Sequence, residues 1–378
     1  MKRYGRFIAS GGAILLWSRC AIALGLICTG AIGCGKAVAQ VQQFDRFTDW
    51  CENREELSEA ARHTVDALLE QVETLDCQIA DERLTDLTEL DLESHRIGDA
   101  SPLSSLTNLT VLNLGENQLD DVSPLANLTN LTWLSLVGNQ LDDVSPLANL
   151  TNLTELFLAR NQLGDVSPLA NLTNLTAINL RKNQLADLSP LSSLTNLTTL
   201  SSGENQIADV RALSGLTNLT ELFLRENQIA DVRPFSSLTN LTGLSLDGNQ
   251  IADIRPLSSL TNLTILELGE NQIADVSPLS SLTQLSGLEL ENNQIADVSP
   301  LSSLTQLIGL DLSNNQIVDV SPLSNLTKLI TLNLGSNPIS DLSPLSSLTR
   351  LTGLHLRENP QLTDRTCPVE PQSICHFE

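Results

Sequence analysis

From Leu87 onward the chain restarts the same phrase every 22 residues, at Leu87, Leu109, Leu131, Leu153, Leu175, Leu197, Leu219, Leu241, Leu263, Leu285, Leu307, Leu329 and Leu351. That makes twelve full units and a truncated thirteenth, sharing the pattern LxxLxLxxNxIxDVxPLxxLTN. A fixed period of this length overrides any domain count taken from the 378 residues, because each unit is one supersecondary element. In the second unit, Leu112 and Leu114 alternate with Val111 and Asn113, the period-two signature of a short strand. Seven apolar positions recur per unit: Leu109, Leu112, Leu114, Leu119, Val122, Leu125 and Leu128 in that same unit. Their burial within one unit is too small to offset the entropy of ordering 22 residues. Neighbouring units must therefore stack, sharing one apolar interior and pairing their strands side by side.

Two polar columns run through the repeats. Asn117 recurs as Asn139, Asn161, Asn183, Asn205, Asn227, Asn249, Asn271, Asn293, Asn315, Asn337 and Asn359. The chain turns inward there, and a buried amide can donate and accept to loop backbone of its own and the next coil. This column is read as structural. His95 takes the slot in the first unit, where a cap rather than a coil is expected alongside. The second column runs from Asp99 through Asp121 to Asp341, in most units two residues before Ser-Pro. Ser at an N-cap and Pro at the first helical position start a short helical turn, with the Asp accepting from nearby amides. Much of the net charge of -24 is thus architectural and does not by itself imply a cationic ligand.

The "LxxLxLxxN" core resembles the leucine-rich-repeat family, and the 22-residue length with "DVSPL" resembles its bacterial internalin type, over residues 87 to about 362. The resemblance implies an α/β solenoid: a leucine-rich-repeat arc with one parallel concave sheet, a short 3-10 or turn convex side, and an N-terminal helical cap. The convex stretch "SPLSSL" is too short for a full helix, which agrees with a gently curved arc.

The ends differ from the middle. Residues 1–39 carry Lys2, Arg3 and Arg6, then the apolar stretches "AILLW" and "CAIALGLICTGAIGC", then Ala37 and Ala39 at small-residue cleavage positions. This reads as a signal peptide, since Arg19 interrupts a run already short for a membrane span. Cleavage removes five cations and no anion, taking the charge from -24 to -29. Residues 40–86 form an expected helical cap, 87–362 the solenoid, and 363–378 a second cap. In the first cap Leu57, Ala61, Val65, Leu68 and Val72 mark one helical face behind Ser58 as N-cap. Outside the leader stand Cys51, Cys77, Cys367 and Cys375, one pair at each end of the array. In an exported chain this suggests two disulfides, with Cys51–Cys77 and Cys367–Cys375 favoured among three possible connectivities. "DWC…RHTV…LL…DC" and "CPVEPQSICHF" look like the caps of exported bacterial leucine-rich-repeat proteins. His63, with no second ligand near it, reads as a surface residue of the cap helix.

Specificity must sit where units differ. On the exposed strand positions, units three to five present Trp133, Phe157, Arg160, Arg181 and Lys182, and unit seven adds Phe223 and Arg225. Trp133 and Phe157 fall on neighbouring strands within diagonal reach. Aromatics beside Arg are the composition of protein-binding hot spots, although variation on a solvated sheet produces such sets too. Glu267, Glu289, Glu291 and Asp311 cluster in units nine to eleven, either as a site for a basic partner or as a solubilising face. Arg211, Arg233 and Arg255 each follow a repeat Asp by two residues and read as surface compensation. Unit six replaces a core Leu by Ser202 and the turn Pro by Ala212, marking a soft point.

None of the four His is spaced with a nucleophile and an acid, and neither GxSxG nor a phosphate-cradling glycine loop occurs. The acidic surface is unsuited to nucleic acid. The Asn-Leu-Thr triplets match a glycosylation sequon but arise from the repeat itself. The expectation is an exported protein (secreted, periplasmic or at the cell surface) that is a monomer and has no enzymatic activity, cofactor or metal. It does not insert in a membrane after cleavage and binds a protein or peptide on its concave face. The alternative is a structural or adhesive spacer without one specific ligand.

Overall fold

A computed structural model describes residues 44–378. The leader reading of residues 1–39 lies outside the described residues. Thirteen three-residue strands, from β1 (Glu89–Asp91) to β13 (Gly353–His355), recur at the repeat interval. Each pairs in parallel with its predecessor and successor, in chain order, at a register of 22 residues (Val111 opposite Trp133, Leu112 opposite Leu134). The sheet gains a fourteenth strand that the period could not reveal: β14, Cys375–His376, from the C-terminal cap, lies parallel to β13 and covers its edge.

The seven apolar residues of each unit form one continuous core. Leu109, Leu112, Leu114, Leu119, Val122, Leu125 and Leu128 are all fully buried, and the same positions stay closed along the array. Each strand leads through an inward turn to a 3-10 turn on the opposite side, such as Ser145–Asn149 or Ser299–Ser303. The result is an unclosed solenoid arc with one parallel sheet, short 3-10 turns and a helical N-terminal cap, as the repeat implied.

The Asn column clamps coils together. Asn249 Nδ2 donates to the carbonyls of Leu224, Leu246 and Asp247 at 3.0, 2.9 and 3.2 Å, while its Oδ1 accepts from Ile229 N–H at 3.0 Å. Ile229 and Leu224 belong to the preceding coil, so the clamp reaches backward rather than to the next coil as expected. This explains His95 better: the first coil has no predecessor, so an amide there would have nothing to hold. Instead the cap supplies the bonds, with His63 Nε2 2.6 Å from the His95 carbonyl oxygen and Thr64 Oγ1 donating to Asp99 O at 2.7 Å. His63 is exposed, as expected, but it also ties the cap to the first coil.

The Asp column also differs in detail. Ser123 is the first residue of its 3-10 turn, not the cap; Val122 is the cap residue. Asp121 supplies the missing acceptor, taking the Ser123 N–H and hydroxyl, both at 2.7 Å. Arg211, Arg233 and Arg255 fold back onto Asp209, Asp231 and Asp253. The Arg211 side chain and then its backbone amide hold the Asp209 carboxyl down to about 2.

The N-terminal cap contains three helices where one was expected: α1 (Phe47–Glu52), α2 (Glu59–Gln71) and α3 (Cys77–Thr85). In α2, Ser58 Oγ accepts from Ala61 N–H at 3.1 Å, and Leu57, Ala61, Val65, Leu68 and Val72 are buried. Helix α3 starts where Asp76 accepts from the amides of Gln78 and Ile79. Its nine residues carry only two buried side chains, Ala80 and Leu84, too few to register as a helical stripe. Disulfides join Cys51 to Cys77 and Cys367 to Cys375, the pairing favoured above. Among the described residues no helix is long and apolar enough to cross a membrane.

Candidate functional site: the concave sheet face

In each strand the middle residue enters the core and the two flanking residues face outward. The two residues before the clamp Asn complete the variable surface. The second of these adopts a left-handed backbone in most coils, with φ of +58° at Arg160 and +57° at Lys182.

In the first half of this face Trp133 (β3, Trp133–Ser135) and Phe157 (β4, Glu155–Phe157) meet diagonally. Their rings lie 5.3 Å apart, tilted by 45°. Phe157 stands directly opposite Ser135, whose small side chain leaves room for the indole to lean across. Both rings remain half-buried with a free outer surface. The cations nearby are not free. Arg160 Nη1 lies 2.7 Å from Glu116 Oε1, two coils away. This reach is possible because Gly138 fills the intervening position: a Cβ there would sit 2.7 Å from the Glu116 carboxylate. Arg181 and Arg225 close on Glu204 from both sides, the second at 3.0 Å. The Arg225 and Arg181 hydrogen bonds hold the Glu204 carboxyl below its ordinary range. Lys182 makes no ion pair among the described residues, and Phe223 is 36% exposed. The structure therefore brings Trp133 and Phe157 together, and places Arg181 and Arg225 on a common carboxylate. Phe223 and Lys182 stand apart from the aromatic pair.

The second half has the opposite character. Glu267 (β9, Ile265–Glu267), Glu289 (β10, Gly287–Glu289) and Asp311 (β11, Gly309–Asp311) occupy facing positions on adjacent strands. They edge a cavity of about 440 Å³. Its floor is open because Gly287 and Gly309 stand where other strands carry Val111, Trp133 or Ile265. Thr331, Asn333 and His355 close its far side, and the His355 ring stacks on His376 with centroids 4.8 Å apart.

Asp247 joins this group, a member the sequence reading missed. Asp247, Glu289 and Glu291 each bring an oxygen within 4.8 Å of the others, a spacing that can hold a cation and that acidic clusters also adopt without one. Asp247 and Glu291 are two coils apart. They approach because Gly269 lies between them: a Cβ there would overlap the Glu291 carboxylate, and the Gly269 N–H donates to Asp247 Oδ1 at 2.8 Å. The missed signal was a glycine at the position before the left-handed residue, flanked two coils apart by acids.

Burial drives the Glu291 carboxyl up to about 7, and the charges of Asp311, Asp247 and Glu289 push in the same direction. Its Oε2 is closed to solvent and has no hydrogen-bond partner. Desolvation raises Asp247 as well, followed by the charge of Glu267. Glu289 is raised by partial desolvation and then by Glu267, Asp247 and Asp311, although it stays open to solvent. No Lys or Arg pairs with any of these acids among the described residues.

The family description "Leucine Rich repeats (2 copies)" matches residues 85–127 and 129–171, and overlapping windows from 217 to 364. The interval these matches leave open contains Ser202 and Ala212, where the phrase departs from its consensus. A solved internalin (inlF) from Listeria monocytogenes is 38% identical, covering 79% of this chain and 93% of that one with a TM-score of 0.76. Internalin C2 of the same organism is also 38% identical, over 54% of this chain and 91% of that one, with a TM-score of 0.51. A plant peptide hormone receptor, RGFR1, solved in complex with RGF2, shares the fold alone: 21% identity over 70% of this chain and 52% of that one, with a TM-score of 0.56. No curated protein matches the chain.

Proposed function

Because the chain belongs to the leucine-rich-repeat family and carries repeats of the internalin type, we propose that it is an exported, non-enzymatic module that binds a protein or peptide along its concave face. The fold is typical of protein-interaction scaffolds. The observation that carries the reading to particular residues is the Trp133–Phe157 pair, two large rings in contact on a sheet face that no other part of the described chain covers. Rigid aromatic surfaces beside Arg are the side chains that most often dominate protein interfaces. Arg160, Arg181 and Arg225 are already oriented by Glu116 and Glu204, so a partner carboxylate can meet them with little further ordering. Lys182 and Phe223 extend the patch.

Export is supported by the basic-apolar leader and by the two disulfides, which persist in oxidising compartments. A monomer is proposed because β14 pairs with the edge of β13, and helix α2 is bonded through His63 and Gln71 to the first coil, at the two ends where another copy would otherwise add a strand.

The experiment is affinity capture from the extracellular fraction in which the protein acts, with wild type and the Trp133→Ala/Phe157→Ala variant run in parallel. A protein held by the wild type should lose about 100-fold in affinity on the variant, roughly 2–3 kcal/mol for two interface aromatics. The unfolding midpoint should stay where it was. Equal capture by both proteins would instead favour the spacer reading, in which the array holds distance and has no single ligand.

A further inference from the structure

A carboxylate cluster on the concave face has no Lys or Arg paired to it among the described residues. Glu116 has Arg160, and Glu204 has both Arg181 and Arg225. In the second half, Glu267, Glu289 and Asp311 edge a cavity about 440 Å³ in size and pair with no Lys or Arg among the described residues. The cavity exists because two successive strands carry Gly287 and Gly309 at the position where the strands on either side bear Ile265 and Thr331. Its wall on one side is Ile265, 41% exposed. An apolar wall, a bare backbone floor and a carboxylate edge match the chemistry of one kind of side chain: an aliphatic stem ending in a cation.

We propose that this cavity is a subsite for a lysine or arginine side chain on an extended, basic segment of a protein partner. The stem lies across Gly287 and Gly309 against Ile265, and the cation lies among Glu267, Glu289 and Asp311. The guanidinium clamp on Glu204 is the internal precedent, showing that this face holds a cation between coils when one is available. The proposal rests on the protein-binding reading above and adds the class of partner and the half of the face it contacts. Charge complementarity decides the occupant: three carboxylates on one edge repel an acidic or phosphorylated segment and give an uncharged one no ionic partner.

The test is calorimetric titration of the protein with an acetylated hexalysine peptide at low and physiological salt. A chain of net charge -24 attracts any polycation, so the informative variant is one that keeps every charge. Gly309→Val fills the floor; a Cβ there meets Thr331 Oγ1 at 3.4 Å, an accommodable contact, and Val111 occupies the same strand position in the second coil. Its affinity for hexalysine should fall about tenfold at physiological salt, roughly 1.4 kcal/mol. Glu267→Gln/Glu289→Gln/Asp311→Asn should lose more, and serves as the second variant should Gly309→Val fail to fold. Trp133→Ala/Phe157→Ala should bind hexalysine like the wild type, which separates this subsite from the aromatic patch. Three results overturn the proposal: no hexalysine binding by the wild type, undiminished binding by a folded Gly309→Val variant, or one-to-one binding of calcium that competes hexalysine away. The last result would assign the carboxylates to a metal ion.

Discussion

The two halves of the concave face use the same device with opposite outcomes. A glycine on one coil lets side chains from the coils on either side of it meet. Over Gly138 the pair is Arg160 and Glu116, an ion pair at 2.7 Å. Over Gly269 the pair is Asp247 and Glu291, two carboxylates brought together within a set spanning 4.8 Å. The first half therefore pairs Arg160, Arg181 and Arg225 internally and exposes aromatic surface. The second half leaves carboxylates facing each other and is stabilised by whatever neutralises them. In a repeat array the backbone environment is nearly constant, so this difference arises from a few side chains on identical scaffolding.

The largest expected effect falls on Glu291. Burial and three neighbouring acids raise its carboxyl from 4.5 to about 7. The folded state thus holds the proton more tightly than the unfolded state, and stability falls as pH rises between those two values. The penalty is fully present above about pH 7 and absent below the unfolded value. Glu291→Gln removes it. We expect about 1–2 kcal/mol of added stability at pH 8, discounted from the full shift because the side chain is partly solvated. At pH 5 the variant and wild type should unfold at nearly the same urea concentration. An equal gain at both pH values would mean that the carboxylate charge is not what sets this half apart.

A smaller effect of opposite sign is expected at Glu204. Its folded carboxyl is lowered by the bonds from Arg225 and Arg181, so its contribution is present above the unfolded value near 4.5 and is lost as pH falls below it. Glu204→Gln should cost about 0.5–1 kcal/mol at pH 7, since partly exposed ion pairs contribute little, and the cost should shrink in high salt. The pH 7 urea midpoint in low and high sodium chloride measures both. Should Glu204→Gln stabilise the protein as Glu291→Gln does, the two halves would not differ in kind.

These differences were unevenly legible in the sequence. The repeat determined the solenoid because each core position is copied in coil after coil, so a chance match at one coil hardly matters. The Trp133–Phe157 contact followed from register alone, since a constant 22-residue offset makes one strand position a diagonal neighbour of another. Two cap helices were not legible: α1 and α3 are short, unrepeated and held by tertiary contacts, where local periodicity carries little signal. Asp247 was missed because adjacency was read between neighbouring coils, whereas glycine at the intervening position extends reach to the coil beyond. The same oversight concealed that Arg160 is already paired, while Arg181 and Arg225 reach Glu204 from the adjacent coils. A charge count registers these residues as available cations; only the carboxylates at Glu116 and Glu204, one of them two coils from its partner, show otherwise.

The smallest expected effect tests whether the first half retains side chains at some cost to stability. Lys182 has a left-handed backbone with φ of +57°, a conformation in which Cβ crowds the following carbonyl and which Asn tolerates better than other side chains. The second half places Asn292 and Asn314 at the equivalent position, and their side-chain amides bond to each other. Lys182, by contrast, forms no ion pair among the described residues that would offset its strain. Lys182→Asn should therefore raise stability by a few tenths of a kcal/mol, read as a small rise in unfolding midpoint. The same variant should bind a partner of the extended patch less well, because it removes a cation that forms no ion pair among the described residues. A gain in stability with a loss of binding would mean that this position serves the surface and not the scaffold. A loss of stability would place Lys182 among the structural residues and shrink the patch to Trp133, Phe157 and their paired arginines.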